Sequence, residues 1–347
     1  MLSTIGVNTA YQNMVNILKV DTADINRTTS NRRDNKVVRE LVRPYCITIR
    51  GFGDNYFITN TNRVINLPFA LAELIWIIAG SDDDSIVKYN KQVGNYLDID
   101  NNNRPYFNAA YGHRMRKAFG IDQLLDVVHH FDKDKYTRQA AIAYRSPFLD
   151  VAFKDTKDRA CNLLSMFSYN EDSDKLNMSQ VSRSNDVIWG VPYNFIQFGH
   201  IFQAVSEMLK INMGDYTYFT NNLHVYEPFF KDIETIEYEA NHYKVPAIGA
   251  DLEILYFLND KYLLDYCLSA IENSWQYHDV DLFIIQNMVP NSPFWQDALV
   301  VLLSYWRKHD VDWCLETLES LNSDLFKVLA HRYYYTYFDG FKSKITL

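Results

Sequence analysis

Apolar side chains recur at helical spacing in several parts of the chain. Residues 67–79 are apolar nearly all round, which predicts a buried helix that begins near Pro68 and ends near Gly80. In residues 192–210 the apolar positions alternate steps of three and four, which indicates a helix that packs one face on a sheet. An amphipathic helix near the N-terminus is predicted from four apolar positions, namely Tyr11, Met14, Val15 and Leu18.

Partial alternation of apolar and polar residues, with many β-favouring types, predicts strands in the centre of the chain. The strand segments are 138–145, 161–169, 175–183 and 215–226. Strand signals become few after about residue 245, where helical patterns occupy 260–274, 292–308 and 312–335. We therefore expect an α+β fold, in which residues 1–240 form a twisted mixed sheet covered by helices and residues 241–347 form a helical C-terminal extension.

Composition limits the class of protein. The 347 residues include 34 basic and 43 acidic side chains, so the formal net charge is −9 and a basic protein that coats nucleic acid is excluded. We expect no direct contact with nucleic acid. With 48% hydrophobic residues, 12 glycines and 9 prolines, the chain can bury a large core, which argues against a disordered or fibrous protein.

The cysteines indicate a reducing compartment. The four of them lie far apart without a CxxC pair, so neither a disulfide framework nor a zinc site is expected and a cytoplasmic location fits best. They are Cys46, Cys161, Cys267 and Cys314. The first sixteen residues lack the pattern of a signal peptide, and Glu73 interrupts the apolar window 67–79, so we expect no membrane span.

Two polar features are open to more than one interpretation. Residues 22–40 are rich in arginine, which predicts an exposed loop that is either solvated or closes over an anion; solvation is the commoner case. Glu73 lies in an apolar helix, where a carboxylate either turns to the helix edge or serves a function. Taken singly, Cys161, Asn194 and His224 also have ordinary structural explanations.

The joint order of these residues is more specific. Along the chain stand ELIW (73–76), YGHRMR (111–116), TRQAAIAYR (137–145), Cys161, SRSNDVIWGVPYN (182–194) and NNLHVY (221–226). This series resembles the thymidylate synthase superfamily, which includes the pyrimidine-nucleotide hydroxymethylases. The resemblance covers roughly residues 8–235, and its most specific part is the RSxDxxxGxP[FY]N pattern about twenty residues after a cysteine.

The chemistry of that superfamily accounts for these residue types. Carbon 5 of uracil is too weak a nucleophile to attack a one-carbon donor until a thiolate adds to carbon 6. Cys161 would be this nucleophile, and Arg183 would lower the pKa of its thiol. By the same resemblance Glu73 would organise water for proton transfer, and the other catalytic residues would be Asn194, Asp186 and Tyr111. The resemblance also implies 5,10-methylenetetrahydrofolate as the cofactor and no metal.

The resemblance further implies how the nucleotide is bound. Asn194 would read uracil in preference to cytosine, while His224 and Tyr226 would hold the sugar hydroxyl. The phosphate would contact Arg183 and also Arg138, which would reach across from the other subunit of a homodimer. One arginine of residues 27–33 would contact it as well, but the resemblance does not decide which one. One phosphate contact is in doubt, since Gln139 stands where the family usually has a second arginine. Further site residues implied by the resemblance are Ser184 beside the phosphate, and Trp76, Asp186 and Gly190 at the folate.

Departures from the methyl-forming members bear on the product. Asn162 replaces the usual histidine after the cysteine, Tyr96-Leu97-Asp98 stands where tryptophans are typical, and the usual Ala-Val tail is replaced by a helical extension. A less sealed folate side favours water over hydride as the final reagent. We therefore expect 5-hydroxymethyl-dUMP as product; the alternatives are thymidylate formation, if the extension supplies another seal, and a non-catalytic nucleotide-binding or interaction protein.

Overall fold

The computed structural model describes residues 2–19, 25–31, 36–151, 155–240, 242–249 and 292–345, with only the backbone described for 25–31 and 36. The helices in these ranges are α1 (Val7–Lys19), α2 (Leu67–Ile78), α3 (Tyr111–Arg116), α4 (Gln123–Lys133), α5 (Val191–Leu209), α6 (Phe230–Thr235), α7 (Pro293–Trp306), α8 (Val311–Glu319), α9 (Asp324–Tyr337) and α10 (Asp339–Lys342). The strands are β1 (Leu2–Ile5), β2 (Ile25–Asn31), β3 (Lys36–Leu41), β4 (Tyr45–Arg50), β5 (Asp98–Ile99), β6 (Pro105–Tyr106), β7 (Ala141–Ala143), β8 (Asn162–Asn170), β9 (Lys175–Ser182), β10 (Asn185–Asp186), β11 (Met213–Thr220) and β12 (Leu223–Tyr226).

A mixed six-stranded sheet forms the centre of the fold. Its order is β1-β4-β11-β9-β8-β7, with parallel pairs at β1–β4 and β11–β9 and antiparallel pairs elsewhere. A smaller sheet has the order β10-β12-β3-β2, and its β10–β12 pair is parallel. The expected α+β fold with a twisted mixed sheet is confirmed.

Helix α5 lies between the large sheet and α2, so it is buried nearly all round. Helix α2 begins as the sequence predicts: the Asn66 side chain accepts a hydrogen bond from the Phe69 amide at 3.1 Å, and Pro68 occupies the first turn. Helices α7 and α9 cover the other side of α2. Two helices with few polar positions thus form the middle layer, and any polar side chain on their facing surfaces is conspicuous.

The C-terminal helices share their core with the rest of the chain. Phe294 and Trp295 of α7 pack on the ring of His200 in α5, with ring centroids 4.6 and 5.0 Å away. Burial lowers the pKa of His200 to about 3, so this histidine is a neutral packing residue. The boundary at residue 240 stays a prediction. No helix in the described ranges is long and apolar enough to cross a membrane.

Three predicted elements differ in the structure. The prediction of an exposed loop at 22–40 is wrong, because β2 and β3 form within it. The edge of β12 supplies backbone hydrogen-bond partners for β3, and the local sequence does not reveal them. The strand expected at 215–226 is two strands in different sheets, separated at Asn221 and Asn222. The helix expected at 312–335 is broken before Ser323, which caps α9. The predicted helix 260–274 and Cys267 lie outside the described residues.

Candidate active site

A cleft of about 560 Å³ opens beside the first turns of α5. Its walls come from α2, from the short 3₁₀ helix Lys91–Tyr96, from the start of α5 and from the segment that follows β12. It brings together Glu73, Asn194 and Tyr226, three residues predicted from sequence to act on one substrate. Pockets of this volume hold small organic molecules.

Glu73 points from α2 into this cleft. Its Oε2 atom is buried and has no hydrogen-bond partner. Burial raises the pKa of the carboxyl from 4.5 to about 7, and the neighbouring Gln197 amide opposes the rise. A carboxyl with this pKa exchanges a proton readily near neutral pH, which suits general acid–base chemistry.

Asn194 and Gln197 project into the cleft from one face of α5, three residues apart. The Asn194 backbone amide donates to the Gly190 carbonyl at 2.9 Å, which fixes Asn194 in the first turn. Gln197 is 6% exposed, yet its Oε1 atom has no hydrogen-bond partner. The sequence motifs do not include Gln197; the signal for it was a second amide one turn after Asn194 on the same face of α5.

Cys161 lies just before β8 and is held by its backbone. The amides of Cys161 and Asn162 both lie 3.3 Å from the Tyr111 hydroxyl, which accepts from both. Burial raises the pKa of the Cys161 thiol, while the Arg183 guanidinium opposes that rise. The expected proximity of Cys161 and Arg183 is therefore present in the fold.

Arg183 contacts the segment that ends in Cys161. Its amide donates to the Cys161 carbonyl at 2.8 Å, and its Nε donates to the Ala160 carbonyl at 2.9 Å. Its Nη2 donates to the Arg159 carbonyl at 3.2 Å. The last two bonds fix the direction of an otherwise exposed guanidinium, so its charge stays beside the thiol and accessible to an anion.

A third group lies where β10 pairs with β12. His224 Nδ1 is 2.8 Å from Asn222 Oδ1 and 3.4 Å from the Ser184 hydroxyl. Burial lowers the pKa of His224, so the ring is neutral and its Nδ1–H donates to Asn222. The His224 ring lies 5.1 Å from the ring of Tyr226, which connects this group to the cleft.

Asp186 closes the turn that leads into α5. Its Oδ1 accepts from the Ile188 amide at 2.7 Å and from the Trp189 amide, whereas its Oδ2 is buried without a partner. Burial raises the pKa of Asp186, and the hydrogen bonds from the Trp189 and Ile188 amides oppose the rise. Gly190 follows, where a Cβ atom would stand 1.8 Å from Asn185 Oδ1. The glycine is thus required for the turn to pack against Asn185.

Nine predicted site residues are not among the lining residues that the structure describes for this cleft: Tyr111, Cys161, Arg183, Ser184, Asp186, Gly190, His224, Arg138 and Trp76. Asp186 belongs to the segment 183–194, which reaches the cleft wall at Trp189, Tyr193 and Asn194, and Cys161 is hydrogen-bonded to that segment at Arg183. Arg138 is exposed just before β7, at the edge of the large sheet. Trp76 is buried, and its indole N–H donates to the Asp83 carbonyl at 3.1 Å. The roles assigned to all these side chains remain predictions.

A second cleft of about 400 Å³ adjoins the first. Arg63 lines it, with its Nη2 donating to the Ile188 carbonyl at 2.6 Å. Helix α9 contributes Tyr333 and Tyr337, so the C-terminal extension forms part of its wall. The two clefts share the lining residues Asn90, Gln92, Trp189, Tyr193 and Phe229.

Comparisons with known proteins find relatives with two described activities. A deoxyuridylate hydroxymethyltransferase of Bacillus phage SP01 is 39% identical over 176 residues, which cover 47% of this chain and 44% of the relative. One of Pseudomonas phage M6 is 28% identical over 48% of this chain and 46% of the relative. A thymidylate synthase of Clostridium beijerinckii is 25% identical over 57% of this chain and 72% of the relative.

The match thus spans slightly less than half the length of each of these two phage relatives. The family model described as thymidylate synthase matches residues 10–262, well over half of the chain, and this range contains every residue of the clefts' shared wall. The match confirms the resemblance carried by the sequence motifs. The chain belongs to the thymidylate synthase family.

Proposed function

We propose that the chain transfers a one-carbon unit from 5,10-methylenetetrahydrofolate to carbon 5 of dUMP and releases 5-hydroxymethyl-dUMP. One observation carries this proposal: the cleft joins the proton-exchanging Glu73 and the base-reading Asn194 to a wall of amide side chains. That wall consists of Asn90, Gln92, Asn95 and Gln197. Amides bind water, so the wall favours hydration as the final step.

Cys161 is the nucleophile in this proposal. Its thiolate adds to carbon 6 of the uracil ring, and the ring electrons move to oxygen 4 so that carbon 5 becomes nucleophilic. The guanidinium of Arg183 stabilises the thiolate against the cost of burial. Tyr111 holds the backbone at Cys161, which fixes the direction of attack.

Asn194, His224 and Ser184 orient the nucleotide. An amide accepts from N3–H and donates to oxygen 4 of uracil, a pattern that cytosine does not match. His224 and Tyr226 hold the sugar hydroxyl in this proposal, which is supported by the hydrogen bond that orients His224 on Asn222 and by the contact between the two rings. Arg183 and Ser184 lie between β9 and β10, and in this proposal they bind the phosphate.

The residues present fit a folate. Its flat rings require aromatic walls and its ring N–H groups require an acceptor; the buried, unpartnered Oδ2 of Asp186 is such an acceptor. Trp189, Tyr193 and Phe229 line both clefts, so a long ligand could extend from one to the other. Bound there, methylenetetrahydrofolate would supply the one-carbon unit at the oxidation level of formaldehyde.

A homodimer is supported by the outer face of the large sheet. Strand pairing places one row of side chains side by side on the face opposite α5: Ala143, Leu164, Val181, Phe219 and Cys46. These residues are uncharged, and all remain partly or fully exposed. A second copy would bury them. The exposed Arg138 at the edge of this sheet could then reach the partner's phosphate site.

Thymidylate formation remains a second candidate because of α9. Tyr333 and Tyr337 line the adjoining cleft and could exclude water from the folate side. The same nucleotide chemistry would then end in hydride transfer. The two candidates differ only in the last reagent, so product analysis separates them.

The test is to incubate the protein with dUMP and methylenetetrahydrofolate in H₂¹⁸O and identify both products by mass. We expect 5-hydroxymethyl-dUMP carrying heavy oxygen, together with tetrahydrofolate. Thymidylate with dihydrofolate would refute the proposal in favour of the second candidate. Absence of tritium release from carbon 5 of labelled dUMP, with both ligands bound, would favour a non-catalytic binding protein.

A further inference from the structure

We propose that Gln197 is a positioning residue that holds, together with Glu73, the water molecule which hydrates the one-carbon unit. This inference rests on the proposed function and extends it, since it names the side chain that selects water as the final reagent. Neither the sequence motifs nor the family resemblance assigned Gln197 a role.

Two buried acceptors without donors face the same cleft. Gln197 Oε1 and Glu73 Oε2 are both shielded from solvent, and neither has a hydrogen-bond partner in the described structure. Burying an acceptor without a donor is unfavourable, and buried polar groups are nearly always satisfied by protein or by water. A single water molecule between the two side chains would satisfy both oxygens, because it carries two protons to donate.

Such a water would be oriented for attack. If both of its protons point to Gln197 and Glu73, its lone pairs point away from them. Asn194, which we propose to hold the base, lies one helical turn before Gln197 on the same face of α5. In this proposal the lone pairs of the water face the same cleft in which Asn194 would hold the base.

The hydration step balances with these groups alone. The water oxygen bonds to the methylene carbon attached to carbon 5, and the electron pair of that exocyclic double bond moves into the ring to give the enolate at oxygen 4. The proton leaves the water for the Glu73 carboxylate. The enolate then reforms the double bond between carbons 5 and 6 and expels the thiolate of Cys161, and Glu73 returns its proton to solvent.

Gln203 offers a matched control on the same helix. It is buried like Gln197 at 8% exposure, but its amide is bonded: Nε2 donates to Glu207 at 2.7 Å, and Oε1 accepts from Tyr56 at 2.8 Å. It is not among the described lining residues of the cleft. A buried glutamine of α5 is therefore available whose loss affects packing without affecting the proposed water.

The experiment compares wild type with Gln197→Leu, Gln197→Asn and Gln203→Leu. Two quantities are measured: hydroxymethyl product formed per tritium released from carbon 5, and the pH profile of product formation. Tritium release reports addition of Cys161 and attack on the one-carbon donor, which do not need the hydrating water. We expect the ratio to fall roughly tenfold or more in Gln197→Leu, and less in Gln197→Asn, which keeps an amide.

The pH profile adds a readout that a packing role would not move. The Gln197 amide favours the ionised form of Glu73, so its removal should shift the rising limb of the profile to higher pH. Gln203→Leu should keep both the wild-type ratio and the wild-type profile. An unchanged ratio and profile in Gln197→Leu, or an equal fall in Gln203→Leu, would overturn the inference while leaving the proposed function intact. A wild type that forms only thymidylate would overturn both.

Discussion

Replacing Glu73 by Gln should stabilise the fold while abolishing hydration. In the folded chain the pKa of this carboxyl is about 7, against an ordinary value of 4.5, because burial disfavours its charged form. Above pH 7 folding must therefore bury a charge that the unfolded chain leaves in water. The difference between the two pKa values corresponds to about 3 kcal/mol of stability.

Proton binding to Glu73 determines at which pH the free energy of unfolding changes, and in which direction. Below pH 4.5 the carboxyl is protonated in both states, so its ionisation costs no stability. Between pH 4.5 and 7 the unfolded chain binds fewer protons than the folded chain, and wild-type stability falls as pH rises. Glu73→Gln has no such group. The variant should be more stable than wild type by up to about 3 kcal/mol at pH 8, with the gain shrinking towards pH 4.5.

Urea unfolding at a series of pH values from 4.5 to 8.5 measures this difference. Glu316→Gln on α8 is the matched control, because Glu316 is exposed and the same substitution there should leave the pH dependence of wild type unchanged. A stability difference between Glu73→Gln and wild type that does not vary with pH would refute the account of a buried, proton-exchanging carboxyl. So would a destabilised variant at pH 8.

Two further predictions concern substrate choice and assembly. Asn194→Asp should shift preference from dUMP towards dCMP by roughly tenfold or more in kcat/KM, because a protonated carboxyl matches the cytosine edge; unchanged preference would remove Asn194 from base recognition. Arg138→Ala and Cys161→Ala should each be inactive alone, whereas dimers re-formed from an equal mixture should recover about a quarter of wild-type activity, since each mixed dimer has one intact site. A mixture as inactive as its components would contradict a phosphate site shared between subunits.

The local pattern of apolar residues was sufficient to predict α2 and α5, the two helices that line the cleft. Helix α2 was predicted close to its observed bounds because Pro68 marks its start and its apolar run extends nearly to Gly80. Helix α5 was predicted to within one residue at either end because its apolar positions recur at helical spacing. In both cases the signal lies within the element itself.

The remaining features depend on contacts between distant segments. Strand β3 forms because β12 offers it a hydrogen-bonding edge, and no property of the arginine-rich segment reveals that partner. The pairing of Gln197 with Glu73 requires α2 and α5 to pack face to face, more than a hundred residues apart in sequence. Likewise, the apolar pattern of α9 predicted a helix but not that Tyr333 and Tyr337 would line a cleft beside the site.

The central claim is that one cysteine bonds to the pyrimidine ring during turnover, and peptide mass spectrometry after rapid acid quench tests it most directly. With dUMP and methylenetetrahydrofolate present, the account predicts a nucleotide-bearing peptide that contains Cys161. The peptides of Cys46 and Cys314 should remain unmodified. Product accumulating in wild type without any adduct at Cys161, or undiminished in Cys161→Ala, would contradict the account.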